Sequence, residues 1–279
     1  MIVVTGATGN VGRPLVEALA AAGEEVTAVS RRAPEAPLPE GVRHRAADLA
    51  RPEDSAALFE GADAVFLLVA GVGDELRPRQ VVAAAVAAGV RRIVLQSSQL
   101  VGTRPESESH GPLREFEAAV RDSGVEWTIL RPSGFASNAF LWAESLRTAR
   151  TVAAPFAEVA MPVVDPADIA DVAAAALLED GHAGRTYVLT GPVAVTPREQ
   201  AAALSRAVGE PVRFVPQTRA EARAHLVRFL PGPAVDGMLA VMGAPHAEEQ
   251  RVSPDVERVL GRAARPFSAW AARHALAFA

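Results

Sequence analysis

The chain has no cysteine and no lysine in its 279 residues, and a single tyrosine, Tyr187. Without cysteine there is no disulfide, no thiolate metal site and no thiol nucleophile. Without lysine there is no Schiff-base chemistry and no lysine-assisted proton relay. All 28 basic residues are arginine, against 33 acidic ones. The resulting net charge of −5 argues against a protein whose main partner is nucleic acid. Long hydrophobic runs are missing too. Stretches such as Val81–Val90 and Val172–Leu178 are too short to span a bilayer. Met1 leads directly into an apolar segment and not into a signal-peptide pattern, so the expectation is a cytoplasmic protein with no membrane partner. The six histidines, His44, His110, His182, His225, His246 and His274, show no metal-ligand spacing, so no metal is expected.

What is present begins at the N-terminus. The apolar run Ile2-Val3-Val4-Thr5 enters Gly6-Ala7-Thr8-Gly9-Asn10-Val11-Gly12, and a helical pattern of Leu15, Val16, Leu19 and Ala20 follows at once. A strand, three glycines spaced by three and an amphipathic helix are the opening of a dinucleotide-binding βαβ unit. One glycine permits the sharp turn, one lets backbone approach a pyrophosphate, and one lets the helix pack on the sheet. The phosphates then lie at a helix N-terminus, where N–H groups and the dipole favour negative charge. An NAD-specific fold places an acidic residue at the end of the second strand. Here the strand Glu25–Val29 ends in Ser30-Arg31-Arg32. A guanidinium can fork onto a 2′-phosphate, so NADP(H) is expected in preference to NAD(H).

Strands and helices then alternate. Strands are predicted at Val42–Ala47, Ala64–Val69, Arg92–Ser97, Glu126–Arg131 and Thr186–Leu189. Helices are predicted at Pro52–Phe59, Leu76–Ala88, Leu113–Ser123, Phe135–Arg147, from Pro166 to about Glu179, and from Thr196, whose Glu199 completes a capping box. Val212–Val215 reads as extended, and the rest as helices over Arg219–Phe229, Ala234–Met242, Pro254–Leu260 and Pro266–Ala277. Alternating elements with apolar strands imply an α/β fold: a doubly wound, mostly parallel Rossmann sheet covered on both faces. A smaller, mainly helical C-terminal cap is expected to interleave with it. The predicted division is residues 1–192 for the nucleotide-binding domain, with 132–162 serving the substrate side, and residues 193–279 for the cap.

Several segments together resemble the atypical short-chain dehydrogenase/reductases of the NmrA-like, NAD(P)H-binding kind. They are Thr5–Gly12, Val29–Arg32, Asp48-Leu49, Ala62–Leu68, Ser97-Ser98, Ser123–Pro132, Phe135–Asn138, Asp168–Ala173, Gly261-Arg262 and Pro266–Trp270. The resemblance implies that Gly6, Thr8, Gly9, Asn10, Val11 and Gly12 line the pyrophosphate and that Arg31 and Arg32 meet the 2′-phosphate. It implies Asp48 and Leu49 by the adenine, Val69, Ala70 and Gly71 by the ribose, and Ser97 and Ser98 by the nicotinamide half.

Two departures matter. The Tyr-x-x-x-Lys pair of the standard enzymes cannot exist without lysine, and Tyr187 falls in a late strand where a structural role is expected. Some NmrA-like reductases use a lysine that corresponds in position to Leu113, beside Arg114, and neither residue is a useful acid near neutral pH. The remaining candidates are His110 as a general acid, Ser97 or Ser98 as hydrogen-bond donors to a substrate carbonyl, and Asn138 as a polar contact. The expected function is NADPH-dependent reduction of a small apolar carbonyl, quinone or enone. Two alternatives stay open: a non-catalytic NADP(H) sensor with a protein partner, and a tailoring enzyme of a biosynthetic pathway. A homo-oligomer is compatible with each.

Overall fold

β1 (Ile2–Thr5) is buried along its whole length. A strand of that kind needs cover on both faces. The computed structural model, which describes all residues except 35–36, 52–56 and 69–75, supplies that cover. α1 (Gly12–Ala21) turns Leu15, Val16 and Leu19 inward. β2 (Val26–Ser30), β3 (Val42–Ala46), β4 (Ala64–Leu68), β5 (Arg92–Gln96), β6 (Glu126–Pro132) and β8 (Arg185–Leu189) join β1 in one parallel sheet of order β3-β2-β1-β4-β5-β6-β8. β7 (Thr151–Pro155) and β9 (Arg213–Gln217) form a separate parallel pair, with Thr151 opposite Arg213.

The seven-stranded order reverses between β1 and β4, which is the topological switch point where doubly wound sheets bind ligands beyond their carboxyl ends. On one face Val3, Val65, Leu67, Ile93, Leu95 and Ile129 form one core cluster with Val81, Val82 and Ala85 of α2 (Pro78–Ala87). A five-residue helix, α3 (Gln99–Thr103), follows β5 directly. α4 (Gly111–Arg121) adds Phe116, Ala119 and Val120 to that cluster. The helix predicted from Pro52 to Phe59 lies largely outside the described residues.

Two compact units result. The first comprises Met1–Pro132, Pro166–Leu189 and Asp255–Arg262, and the second Ser133–Asp165, Thr190–Pro254 and Ala263–Ala279. Asp255–Arg262 therefore groups with the sheet, whereas the sequence assigns it to the cap. The physical reason is a set of polar ties. α6 (Pro166–Leu178) carries Asp168 and Asp171, and Arg262 donates to both at 2.8 and 2.5 Å. Asp255 opens α10 (Asp255–Leu260) and accepts a hydrogen bond from Val188 N at 2.8 Å.

The second unit contains the β7–β9 pair and five helices among its described residues: α5 (Ala143–Ala149), α7 (Pro197–Val208), α8 (Arg219–Leu226), α9 (Gly232–Gly243) and α11 (Phe267–Arg273). The single helix predicted over Phe135–Arg147 is instead a 3₁₀ segment, Ala136–Trp142, running into α5. Phe140 leaves that segment to meet Trp270 edge-on at 5.0 Å and to stack on Phe278 at 5.6 Å, so it is a packing residue. The Thr196–Glu199 capping box forms as expected, and Thr218 and Glu221 build a second one at α8. Among the described residues no helix is long and apolar enough to cross a membrane.

Candidate active site

The turn after β1 is tight. Thr5 Oγ1 accepts from Leu68 N at 2.7 Å and donates to Leu68 O at 2.8 Å, tying β1 to β4 at the switch point. Gly6 follows with φ +64, a left-handed value that suits glycine, and a Cβ there would stand 2.7 Å from Leu68 Cδ2. Gly9 N donates to Gly6 O at 3.0 Å. A Cβ on Gly12 would run into the Gly6 carbonyl oxygen, so α1 begins as close to the turn as backbone allows. Val11 is the N-cap of α1 and makes no side-chain cap bond. Of its first N–H groups, Arg13 N donates to Gly9 O at 3.0 Å and Pro14 has none, so Gly12 N is the one the helix start can offer to an anion. Thr8, Gly9 and Asn10 are exposed at the tip, and among the described residues a Cβ on Gly9 would meet Gly6 O at 3.2 Å and no other atom within 4 Å. Among the described residues the turn is thus a backbone cradle open on its outer side, which suits a pyrophosphate.

The end of β2 is braced from β3. Ser30 Oγ donates to the Arg32 carbonyl at 2.6 Å, and His44 Nε2 lies 2.9 Å from the same oxygen. The serine has one proton and spends it on Arg32, so His44 is the donor in the second bond. The Arg31-Arg32 turn held in this way is exposed, and no carboxylate among the described residues pairs with either guanidinium. Asp48 Oδ1 accepts from Ala50 N at 3.1 Å in a turn after β3, and Leu49 packs against the sheet core. Val69, Ala70 and Gly71 lie outside the described residues.

At the end of β5 the two candidate serines differ. Ser97 is buried and donates to Glu117 Oε1 at 2.6 Å. Ser98 is half-buried, and its Oγ accepts from Leu100 N at 3.2 Å as the N-cap of α3. Glu117 of α4 is itself buried, and it receives Arg131 Nε at 2.9 Å, Arg131 Nη2 at 2.6 Å and Arg121 Nη2 at 2.9 Å. Burial pushes the Glu117 carboxyl up, but hydrogen bonds from Arg131 and Ser97 more than offset this and hold it below its ordinary value. Sequence reasoning did not single out Glu117. A carboxylate between Phe116 and the pair Ala119 and Val120, facing an arginine in an apolar strand, was the available signal.

His110 precedes α4, with Nδ1 3.0 Å from Ser109 Oγ and 3.4 Å from Ser107 Oγ. Burial and then the charge of Arg114 lower its pKa, so it is a neutral imidazole near pH 7. Arg114 itself donates to Ser107 O at 2.6 Å. Tyr187 is buried in β8 with its hydroxyl 2.9 Å from His182 Nδ1, and burial raises its pKa. Asn138 is exposed on the 3₁₀ segment of the second unit.

The NAD(P)H-binding family pattern matches residues 6–180, from the glycine turn to the end of α6 and just beyond, which is more than half of the chain. The chain belongs to the NAD(P)H-binding family. A (4-alkanoyl-5-oxo-2,5-dihydrofuran-3-yl)methyl phosphate reductase of Streptomyces griseus is 44% identical to it over 296 residues, covering 100% of this chain and 99% of that relative. An NAD(P)H azoreductase of Xenophilus azovorans is 34% identical over 285 residues, with the same coverage. The crystal structure of an NADPH-dependent quinone oxidoreductase from Escherichia coli in complex with NADPH superposes with a TM-score of 0.80, covering 98% of this chain and 99% of that one; at 24% identity this likeness shows the fold. The NAD(P)H-binding family expected from the motifs is borne out, and a structure of an NmrA double mutant, 20% identical, shares the fold at a TM-score of 0.73. This family member is an NAD(P)H-dependent oxidoreductase.

Proposed function

We propose that the protein uses NADPH to reduce small conjugated, electron-poor acceptors: enones and acyl butenolides, quinones and related compounds. The observation that carries this is the lack of a proton relay. There is no lysine, and the only tyrosine is buried in β8 against His182. An isolated ketone becomes an alkoxide on hydride addition and needs an acid beside it. A conjugated acceptor becomes a delocalised anion that water can protonate, so it asks less of the protein. The substrates for which the relatives are named support this reading, since an acyl dihydrofuranone, an azo compound and a quinone all spread the incoming electron pair over a conjugated system.

The glycine cradle of Gly6, Gly9 and Gly12 would hold the pyrophosphate, and Arg31 and Arg32 would select the 2′-phosphate. NADPH held there would supply the hydride, two electrons and one proton, for the electron-poor atom of the acceptor. One further proton from solvent completes the reduction. Ser98 offers its hydroxyl to the acceptor oxygen, and neutral His110 stands aside from the proton transfer near pH 7.

The test is loss of NADPH absorbance with a quinone, an acyl butenolide and an azo dye, set against an unconjugated ketone of similar size. Turnover is expected with conjugated acceptors and not with the ketone. Reduction of the isolated ketone at a comparable rate would overturn the proposal.

A further inference from the structure

We propose that Glu117, Arg131 and Gly102 form a clamp that sets the position of the Ser97–Thr103 turn, and with it the Ser98 hydroxyl. The inference rests on the reading above, in which the acceptor is reduced beyond the carboxyl end of β5. The clamp grips the turn at both ends. At its start, Ser97 donates to Glu117 at 2.6 Å. At its far end lies Gly102 of α3, where a Cβ would stand 2.5 Å from Arg131 Nη1. Both grips lead to one buried pair, because Arg131 holds the two oxygens of Glu117 with Nε and Nη2 at 2.9 and 2.6 Å. Glu117 is 1% exposed, so its ionised form depends on these donors and the geometry is tightly determined.

Ser98 sits between the grips. Its oxygen accepts from Leu100 N, and no acceptor among the described residues takes its proton. Ser97 has already committed its proton to Glu117. Of the two serines, Ser98 is therefore the one with a donor to offer, and Ser97 is a positioning residue together with Glu117 and Arg131. The clamp shares no hydrogen bond with the glycine turn. Loosening it should disturb transfer to the acceptor and leave cofactor binding intact.

Gly102→Ala is the sharpest probe. It adds one methyl group at an exposed backbone position and removes no charge or hydrogen bond, yet Arg131 must shift to admit it. Expected is a fall in kcat of about tenfold or more, as misplacement of a reacting group produces. NADPH affinity, followed by fluorescence titration, stays within about twofold. The kinetic isotope effect with NADPH deuterated at the transferred position rises, because transfer becomes more rate-limiting. Ser98→Ala should lower kcat similarly, and Arg131→Lys, which keeps the charge but not the fork, should lower it too. A merely structural clamp would lower the melting temperature without moving the isotope effect. An active wild type whose Gly102→Ala variant keeps its kcat and isotope effect overturns the clamp alone. A wild type that binds NADPH and reduces no conjugated acceptor overturns the proposed function, and the clamp with it.

Discussion

Gly12 stands so near Gly6 that a Cβ on it would lie 2.2 Å from the Gly6 carbonyl oxygen, whereas a Cβ on Gly9 would meet that oxygen at 3.2 Å and no other atom of the described residues within 4 Å. The two glycines should therefore fail differently. Gly12→Ala is expected to destabilise the fold by about 1–3 kcal/mol through overpacking. Gly9→Ala should leave the melting temperature nearly unchanged, but its methyl fills the open side of the cradle and should weaken NADPH about tenfold or more. Thermal melts and NADPH titrations of both variants check this.

Cofactor choice is expected to follow Arg31 and Arg32. Replacing both with alanine should lower kcat/KM for NADPH about ten- to a hundredfold, the loss of one or two charge-assisted hydrogen bonds, while kcat/KM for NADH stays level. His44→Ala removes the donor that braces Ser30, and Ser30 in turn holds the Arg32 carbonyl. It should give the same change in weaker form. Equal losses with both cofactors would show that the arginines do not read the 2′-phosphate.

Glu117 links stability to acid. Its carboxyl pKa is lowered in the fold, so its contribution is complete above the unfolded value of about 4.3 and is lost as pH falls through the lower folded value. Glu117→Gln should cost about 3–5 kcal/mol at neutral pH, as breaking a buried pair does. The gap between wild type and variant should narrow as pH drops below about 4, because the wild-type carboxyl is then protonated as well. Melts across pH show whether the two curves converge.

Tyr187→Phe should leave reduction of a quinone or enone within about twofold of wild type while lowering stability by about 1 kcal/mol, the worth of its bond to His182. A collapse of activity with normal stability would return the tyrosine to the reaction.

His110 has a lowered pKa, so its protonated form is scarce at pH 7 and declines further as pH rises. Acceptor reduction is expected to stay flat between about pH 7 and 8, with His110→Ala tracking wild type. A rate that falls with pH in wild type but not in the variant would assign the proton to His110.

Much of the sheet was legible in the sequence because its strands are continuous apolar runs between turn residues, as in Ala64–Leu68 and Arg92–Gln96. The glycine turn was legible because close backbone approach leaves few alternatives to glycine. β7 was not, since Thr151–Pro155 is built on alanine and ends in proline, and its partner Arg213–Gln217 lies 62 positions on. α3 was hidden as well. A five-residue helix containing Gly102 has little intrinsic propensity, and Gly102 lies close against Arg131 from another strand. The site divided in the same way. The glycine turn follows from local spacing, but the different hydrogen bonds of Ser97 and Ser98 depend on Glu117, a contact twenty residues away along the chain.

The chain leaves the sheet unit at Pro132, returns for Pro166–Leu189, leaves again, and returns once more for Asp255–Arg262, where Arg262 fastens it to Asp168 and Asp171. Neither unit is a single stretch of polypeptide. Exchanging the second unit between relatives therefore requires three cassettes with their junctions matched together, and a chain shortened before Arg262 loses a fastening of the sheet unit itself.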